Sequence, residues 1–398
     1  MKRTQSSAML LACCACQGAL AAQHDPSTWT ANLRYRHESV QDDAFARRAS
    51  AETLRLRLGW SRKFASGFSV GAEGEGVAEL NDRFNSGANA ETAFPAVADA
   101  RALELNQAWV SWRGEVAGAT LGRQRIVLDN QRFVGNVGWR QNEQTFDALA
   151  LDTKPSDALN LRYYYLDRVH RVAGDEAIDP LARERDLSGH LANGSWTLPL
   201  GTLIGYAYLL EDRDVVTAST QTFGLRWIGS SALRSSTLSW TLEAARQQDY
   251  AANPRDIDVG YWLAEGALTQ GRVTGKIGWE HLGSDGGSAL QTPLATLHAF
   301  NGWADKFTTT PVNGLEDRYL LATGKTGSGG LQDKLIWTIA WHDYRADRGG
   351  DRYGSEWDAS LGFPLPGGLM GLLKLADYQS NGFARDTTKA WLQVEWSY

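Results

Sequence analysis

The last ten residues, Lys389-Ala390-Trp391-Leu392-Gln393-Val394-Glu395-Trp396-Ser397-Tyr398, alternate between apolar and polar side chains. Every second residue from Ala390 to Tyr398 is apolar, and the residues between them are polar apart from Trp391. Successive side chains of a β-strand point to opposite faces, so this period of two predicts a strand with one apolar and one polar side. A soluble sheet shows the same alternation, so the period alone does not decide between a secreted β protein and a membrane barrel.

The position of this stretch adds a second constraint. Its apolar side continues to the terminal carboxylate and ends on the ring of Tyr398. The final strand of bacterial outer-membrane barrels is similar, since it closes the barrel and ends in Phe, Tyr or Trp. We therefore expect a transmembrane β-barrel whose last strand, ending in Tyr398, is recognised by the barrel-assembly machinery. An ordinary C-terminal strand of a secreted β protein is the alternative.

Residues 1–22 predict a cleaved secretory signal. Two basic residues precede an apolar run from Ala8 to Ala15, and small residues stand just before Gln23. This run is too short to span a bilayer, and Leu11-Ala12-Cys13 would also fit a weak lipoprotein signal. All cysteines of the chain lie in this segment: Cys13, Cys14 and Cys16. The mature chain, residues 23–398, therefore offers no thiol for a disulfide or a metal site.

The length and patterning of residues 23–398 predict one all-β domain. At about 20 residues per strand and turn, it supplies about 18 antiparallel strands, and no later window approaches the roughly 18 consecutive apolar residues of a membrane helix. Short turns such as Ser66-Gly67 and Arg113-Gly114 alternate with longer loops, as expected if one rim faces the periplasm and the other the outside. The longest gap, Gly283–Glu316, would be an extracellular lid or a lumenal plug.

Arginines recur on the polar sides of the predicted strands. Arg34 and Arg36 lie on one strand, Arg55 and Arg57 on the next, and Arg162 has the same kind of position further along the chain. In a soluble sandwich such a side would face bulk water, whereas in a barrel of this size it faces the lumen. We therefore expect these five residues to line the pore, either as sites for a solute or as struts paired with nearby carboxylates.

The most distinctive run extends from Leu121 to Asn142. It contains four arginines, six amide side chains and one aspartate among glycines, without clean alternation. Lipid requires every backbone group to be paired, so such a run should fold into the lumen or across the mouth of the barrel. Its candidate solute-contacting residues are Arg123, Arg125, Asp129, Asn130, Arg132 and Arg140.

Four motifs in this region resemble those of the alginate-export family of outer-membrane porins. They are Gly122-Arg123-Gln124, Arg132-Phe133-Val134-Gly135, Gly138-Trp139-Arg140-Gln141-Asn142 and Thr145-Phe146-Asp147. The resemblance is specific over residues 119–149 and elsewhere rests on the strand pattern. It implies an 18-stranded monomeric barrel in the outer membrane of a Gram-negative cell, with an arginine-lined constriction that passes anionic solutes. By this resemblance four arginines of the run would form the constriction, unless some of them only brace the loop through carboxylates such as Asp129.

The sequence thus predicts an anion-selective porin rather than an enzyme. The formal net charge of −6 argues against a general nucleic-acid binder. Gly67-Phe68-Ser69-Val70-Gly71 has the spacing of a nucleophile elbow, but it opens an alternating strand and no helix follows. The histidines are scattered without metal-ligand spacing, so neither a catalytic base nor a metal or other cofactor is predicted.

The solute and its direction are open at this stage. Export of an anionic polysaccharide such as alginate, uptake of small solutes by a general porin, and a plugged structural barrel all fit the pattern. The expected partners are the lipid bilayer and lipopolysaccharide of the outer membrane and an anionic solute.

Overall fold

The computed structural model describes residues 27–327 and 335–398, in which the chain forms a closed antiparallel barrel of 18 strands. The first strand pairs with both the second and the last, so the sheet has no free edge. This confirms the predicted all-β transmembrane architecture. The predicted signal at residues 1–22 lies outside the described residues.

The strands are numbered in chain order. They are β1 (Ser27–Asp42), β2 (Ala49–Lys63), β3 (Phe68–Glu79), β4 (Ala102–Arg113), β5 (Ala117–Gln124), β6 (Thr145–Ser156), β7 (Leu159–His170), β8 (Glu184–Leu198), β9 (Gly201–Asp212), β10 (Thr220–Leu233), β11 (Ser236–Asp249), β12 (Asp258–Gln270), β13 (Val273–Leu282), β14 (Leu315–Lys325), β15 (Ile336–Arg345), β16 (Arg352–Pro364), β17 (Met370–Ser380) and β18 (Thr387–Ser397). Helical turns in the described residues are α1 (Pro180–Arg183) and the 3-10 turns Val216–Ala218, Leu297–Ala299 and Pro366–Gly368. None of the helices in these ranges is long and apolar enough to cross a membrane.

The two faces of the strands follow the predicted alternation. Leu33 on β1 and Leu56 on β2 are register partners and point outward, whereas Arg34 and Arg55, the next pair, are buried on the inner side. Register partners share a face of the sheet, so apolar rows on the outside alternate with polar rows in the lumen. At β18 the same rule turns Trp391, the one apolar residue on the polar side, into the barrel interior, where it is buried.

Connections differ between the two rims as predicted. At one rim the strands are joined by short turns such as 157–158, 199–200 and 234–235. Three long loops lie at the opposite rim: loop A (80–101), loop B (125–144) and loop C (283–314). In an outer-membrane barrel the short turns face the periplasm, so the long loops belong to the extracellular side.

Loops B and C fold into the barrel. Val134 of loop B and Leu294 of loop C form a parallel β-bridge, and both are buried. Phe133 of loop B contacts two wall tyrosines on β9, Tyr206 and Tyr208, at ring-centroid distances of 5.3 and 6.1 Å. The aromatic side of β9 therefore faces inward, because the inserted loops create an apolar core that the wall must match. Loop C, within the 283–316 gap, therefore lies inside the lumen rather than over the mouth of the barrel as a lid.

Candidate functional site

Loop B begins where β5 ends at Gln124 and turns sharply inside the lumen. Asp129, Gln131 and Val137 have positive φ values of 51°, 68° and 52°, which mark tight reversals of the chain. The backbone of Gly135 packs directly on Thr296 of loop C, and a Cβ at that position would overlap the threonine hydroxyl. Small size at Gly135 therefore lets the two loops pack against each other.

The wall arginines of β1 and β2 hold the main chain of loop B. Arg34 Nη1 donates to the carbonyl oxygens of residues 138, 139 and 140, each at 3.3 Å, and Arg36 Nη2 donates to that of residue 139 at 2.5 Å. Arg55 and Arg57 each donate to the carbonyl oxygen of Gln141 at 3.3 Å. Four arginines that the sequence placed on the pore wall thus face the lumen, where they brace the inserted loop.

The same arginines are neutralised by carboxylates. Arg34 and Arg55 share Glu395 of β18, at 3.1 and 3.3 Å. Arg36 pairs with Asp99 of loop A at 3.2 Å, and Arg57 with Glu143 of loop B at 3.5 Å. Much of the positive charge of this wall is therefore cancelled locally.

Glu143 of loop B is a carboxylate shared by two arginines. It is buried and pairs with Arg57 and Arg125, and Arg125 also pairs with Glu73 of the wall. Burial alone would raise the pKa of Glu143, but the two guanidinium groups hold it below its ordinary value. Glu143 therefore remains ionised and ties Arg125 to the wall.

Arg140 joins loop B to both the wall and loop C. Its two terminal nitrogens lie 3.1 Å from Glu38 of β1 and 3.1 Å from Asp305 of loop C. Burial opposes the charged form, yet Glu38, Asp99 and Asp305 together raise the pKa of Arg140 above its ordinary value. Lys389 of β18 approaches Asp305 at 2.7 Å, so a single carboxylate links loop B, loop C and the last strand.

A tryptophan junction lies beside this carboxylate. The rings of Trp139 and His298 stack at 4.7 Å, and Trp391 of β18 meets Trp139 edge-on at 5.9 Å. Lys374 of β17 places its ammonium 4.1 Å from the ring of Trp139 and 3.8 Å from that of Trp303. Cation–π contacts of this kind strengthen when water is excluded, so the junction anchors both loops to the wall.

His298 is neutral in this junction. Its Nε2 lies 2.6 Å from Lys374 Nζ and its Nδ1 lies 2.7 Å from Asp305 Oδ1. A neutral imidazole with its proton on Nδ1 satisfies both contacts, donating to Asp305 and accepting from the ammonium. Burial is the main cause that lowers the pKa of His298 to about 3, with Asp305 opposing it. Sequence reasoning missed this junction, although the inward position of Trp391 was a signal for it.

Arg132 is buried between the barrel wall and loop C. Its Nε lies 2.9 Å from Glu280 of β13, its Nη2 donates to Asn301 of loop C at 3.3 Å, and its guanidinium stacks 4.8 Å from the ring of Phe300. Asn130 caps the turn before it by accepting a hydrogen bond from the Arg132 backbone N–H at 3.3 Å. Arg132 therefore joins loop B to loop C and the wall, and Asn130 supports the turn that positions it.

Arg123 departs from the prediction because it lies on the outer face of β5. It shares that face with Leu121, which is 57% exposed, and pairs with Asp147 of β6 at 2.9 Å. His170 of β7 lies 2.9 Å from the other oxygen of Asp147. The alternation of β5 continues through Arg123, so its side chain follows Leu121 outward rather than entering the lumen with loop B.

Arg162 differs from the other predicted arginines. It faces inward on β7, in register with the buried Asn193 of β8, and its side chain makes no hydrogen bond or ion pair to any residue in the described ranges. Asp129 lies nearby at the tip of loop B, where Asn193 donates to it at 2.8 Å. Burial raises the pKa of Asp129 despite Arg226 and Arg162. Arg162 thus presents a lumenal guanidinium on the periplasmic side of loop B.

No group of three or more His, Cys, Asp or Glu side chains in residues 27–327 and 335–398 is arranged to hold a metal ion.

Comparison with solved structures shows the same fold in outer-membrane channels. The outer membrane protein OpdK of Pseudomonas aeruginosa is similar with a TM-score of 0.70 and 17% identity, covering 93% of this chain and 98% of that chain. OccAB3 of Acinetobacter baumannii is similar with a TM-score of 0.73 and 13% identity, covering 94% of this chain and 99% of that chain. OccK2 of P. aeruginosa was solved in complex with glucuronate. It is similar with a TM-score of 0.70 and 16% identity, covering 93% of this chain and 97% of that chain. No curated protein sequence matches the chain.

A family model decides the assignment. The model described as alginate export matches residues 26–248, which is more than half of the chain and includes loops A and B. Its match agrees with the motif resemblance over residues 119–149 and with the porin architecture of the solved neighbours. The protein is an outer-membrane porin barrel, and the chain belongs to the alginate export family.

Proposed function

We propose that this barrel conducts anionic solutes through a constriction formed by loops B and C, with Arg162 as the guanidinium that a passing anion meets. The observation that carries the proposal is the contrast between Arg162 and the braced arginines. Arg34, Arg36 and Arg55 use their donors on loop carbonyls and carboxylates. Arg162 has no such partner in the described residues, so its donors are available for a carboxylate in the lumen.

Small carboxylates fit this arrangement well. The inserted loops narrow the lumen, and the similar OccK2 structure was solved with glucuronate, which carries one carboxylate on a sugar ring. Uptake of such monomers and export of an alginate chain use the same chemistry, because each repeat of alginate is a uronate. The length of the solute distinguishes the two directions. A polymer occupies the constriction along many of its repeats during export, whereas a monomer passes through it once.

The test is the reversal potential of the purified barrel in a planar bilayer under a salt gradient. Arg162→Gln should reduce anion preference about threefold or more, since one unscreened charge in a narrow lumen contributes about 1 kcal/mol. Arg246→Gln is the matched control: it removes the same charge from an exposed outer-face pair with Asp258. Equal shifts in both variants would contradict the role of Arg162, and a silent membrane would identify a plugged structural barrel.

Blocking by uronates distinguishes the two solutes. We expect monomeric glucuronate to reduce the single-channel current of wild type and to lose this effect in Arg162→Gln. An oligomer of uronates that blocks for longer with each added unit would favour polymer export, and monomer block without length dependence would favour uptake.

The remaining partners belong to the same proposal. We propose that the chain acts as a monomer, that its last strand ending in Tyr398 is bound by the barrel-assembly machinery, and that its outer face contacts lipopolysaccharide. Closure of the barrel by β1 and β18 of one chain means that a single chain supplies the whole wall of its pore, so conduction needs no second copy.

A further inference from the structure

The outward face of the barrel carries a groove across β12, β13, β14 and β15 that the solute pathway does not use. Its volume is about 680 Å³ and its surface is mainly apolar. The outward-facing residues that line it are Gly266, Ile277, Trp279, Arg318, Leu320 and Trp341. A groove of this kind in a lipid-facing wall is a site where a lipid can bind specifically.

The groove exists because β12 presents small residues where its neighbours present large ones. Ala264 and Gly266 are the register partners of Trp279 and Ile277 on β13. A Cβ built at Gly266 would meet no atom within 4 Å, so the floor of the groove is open main chain. Ile277 and Leu320 are themselves register partners and line its middle.

A cation stands at one end of the groove. Arg318 lies near the start of β14, which begins at Leu315 directly after loop C on the extracellular rim. Its side chain is 53% exposed and lies 2.8 Å from Glu316, which is closer to the rim. Trp279 is its register partner on β13. Tryptophan and arginine at this height match the level at which lipid headgroups meet the hydrocarbon.

We propose that this groove binds a phosphorylated glycolipid of the outer leaflet, with a phosphate on Arg318 and an acyl chain over Gly266, Ile277 and Leu320; this rests on the lipopolysaccharide contact proposed above and gives it a site. The charge is complementary, since a guanidinium fork suits phosphate oxygens. Arg318 has five donor hydrogens and so keeps Glu316 while it binds the phosphate. An acyl chain covers the apolar floor that no side chain covers.

The experiment measures lipid A retained by the detergent-purified barrel, by native mass spectrometry at a series of lipid concentrations. Arg318→Gln removes the cation, and Gly266→Leu fills the floor from a position where a Cβ meets no atom within 4 Å. Each should weaken retention about tenfold, as expected for a charged hydrogen bond or for lost apolar contact. Arg246→Gln is the matched control, because it removes an outer-face arginine outside the groove and should retain lipid like wild type.

Heat-resistant migration in detergent gels identifies which variants are folded, and only those are compared. Retention unchanged in both groove variants would overturn the proposal. Retention of a phospholipid that lacks the sugar, to the same extent as lipid A, would also overturn it, because the groove would then bind lipids without preference for a glycolipid. A change in oligomeric state caused by Gly266→Leu with lipid A still bound would assign the groove to a second copy of the chain and would also overturn it.

Discussion

Arg34 on β1 and Arg55 on β2 are register partners on the lumenal side, and both bind Glu395 of β18, at 3.1 and 3.3 Å. Like charges placed directly opposite each other on a sheet repel, so the carboxylate between them is needed to hold them there. Because Glu395 belongs to the last strand, this ion cluster also crosses the closing seam of the barrel.

Glu395→Gln should therefore destabilise the barrel by about 1 to 3 kcal/mol, since it leaves two buried arginines with only neutral acceptors. Guanidinium unfolding in detergent, followed by tryptophan fluorescence, measures the change. Glu115→Gln removes an exposed carboxylate in a short turn and serves as the control. A loss in Glu395→Gln no larger than in the control would contradict the bridging role.

Lys374→Met should loosen the junction of loops B and C without emptying it. The methionine keeps an unbranched chain between Trp139 and Trp303, but the ammonium contacts and the 2.6 Å contact with His298 are lost. We expect greater open-channel current noise in single-channel recordings, because the inserted loops would fluctuate more. Lys276→Met, which breaks a lumenal pair with Glu265 on β12 and β13, should leave the noise unchanged. Equal noise in the two variants would show that the tryptophan junction does not restrain the loops.

Stability should rise with pH between about 3 and 6.5 through His298. Its pKa is lowered to about 3 in the folded barrel, against an ordinary value of about 6.5. In that window the unfolded chain binds more protons, so folding is weakened as the pH falls through it. The barrel should lose roughly 2 to 3 kcal/mol between pH 7 and pH 4.5 from this residue. His298→Gln should show a shallower pH dependence in equilibrium unfolding, and an unchanged slope would argue against burial of the neutral ring.

Arg123→Gln should leave ion selectivity as it is. Its side chain lies on the outer face and pairs with Asp147, so removing its charge does not alter the lumen. The stability cost should be small, about 0 to 1 kcal/mol, as for other partly exposed ion pairs. A reversal potential that moves as far as that of Arg162→Gln would place Arg123 in the pathway after all.

Most of the fold could be predicted from the alternation of apolar and polar residues along the strands. A period of two specifies the face of each residue of a strand. The sequence therefore predicted the inward position of the four arginines on β1 and β2 and the outward position of the leucines between them. The position of Arg123 was readable too, because it lies two residues after the outward Leu121. The motif resemblance outweighed that alternation and placed Arg123 in the lumen.

The roles of the arginines were not readable. Arg34 and Arg55 act through Glu395, which is more than three hundred residues away along the chain. A bracing arginine and a solute-binding one have the same local sequence, and only the presence of a carboxylate or carbonyl across the lumen separates them. For the same reason the inward aromatic side of β9 could not be assigned before the inserted loops were known.

Contacts that hold the constriction draw on both ends of the chain. Arg36, near the start, and Lys389 and Trp391, near the finish, all contact loop B or loop C. Asp305 and Trp139 gain their β18 partners only when β18 reaches β1, whereas Arg132 and Phe133 already contact β13 and β9. Closing the wall of the barrel and completing the anchorage of its constriction are therefore one and the same event.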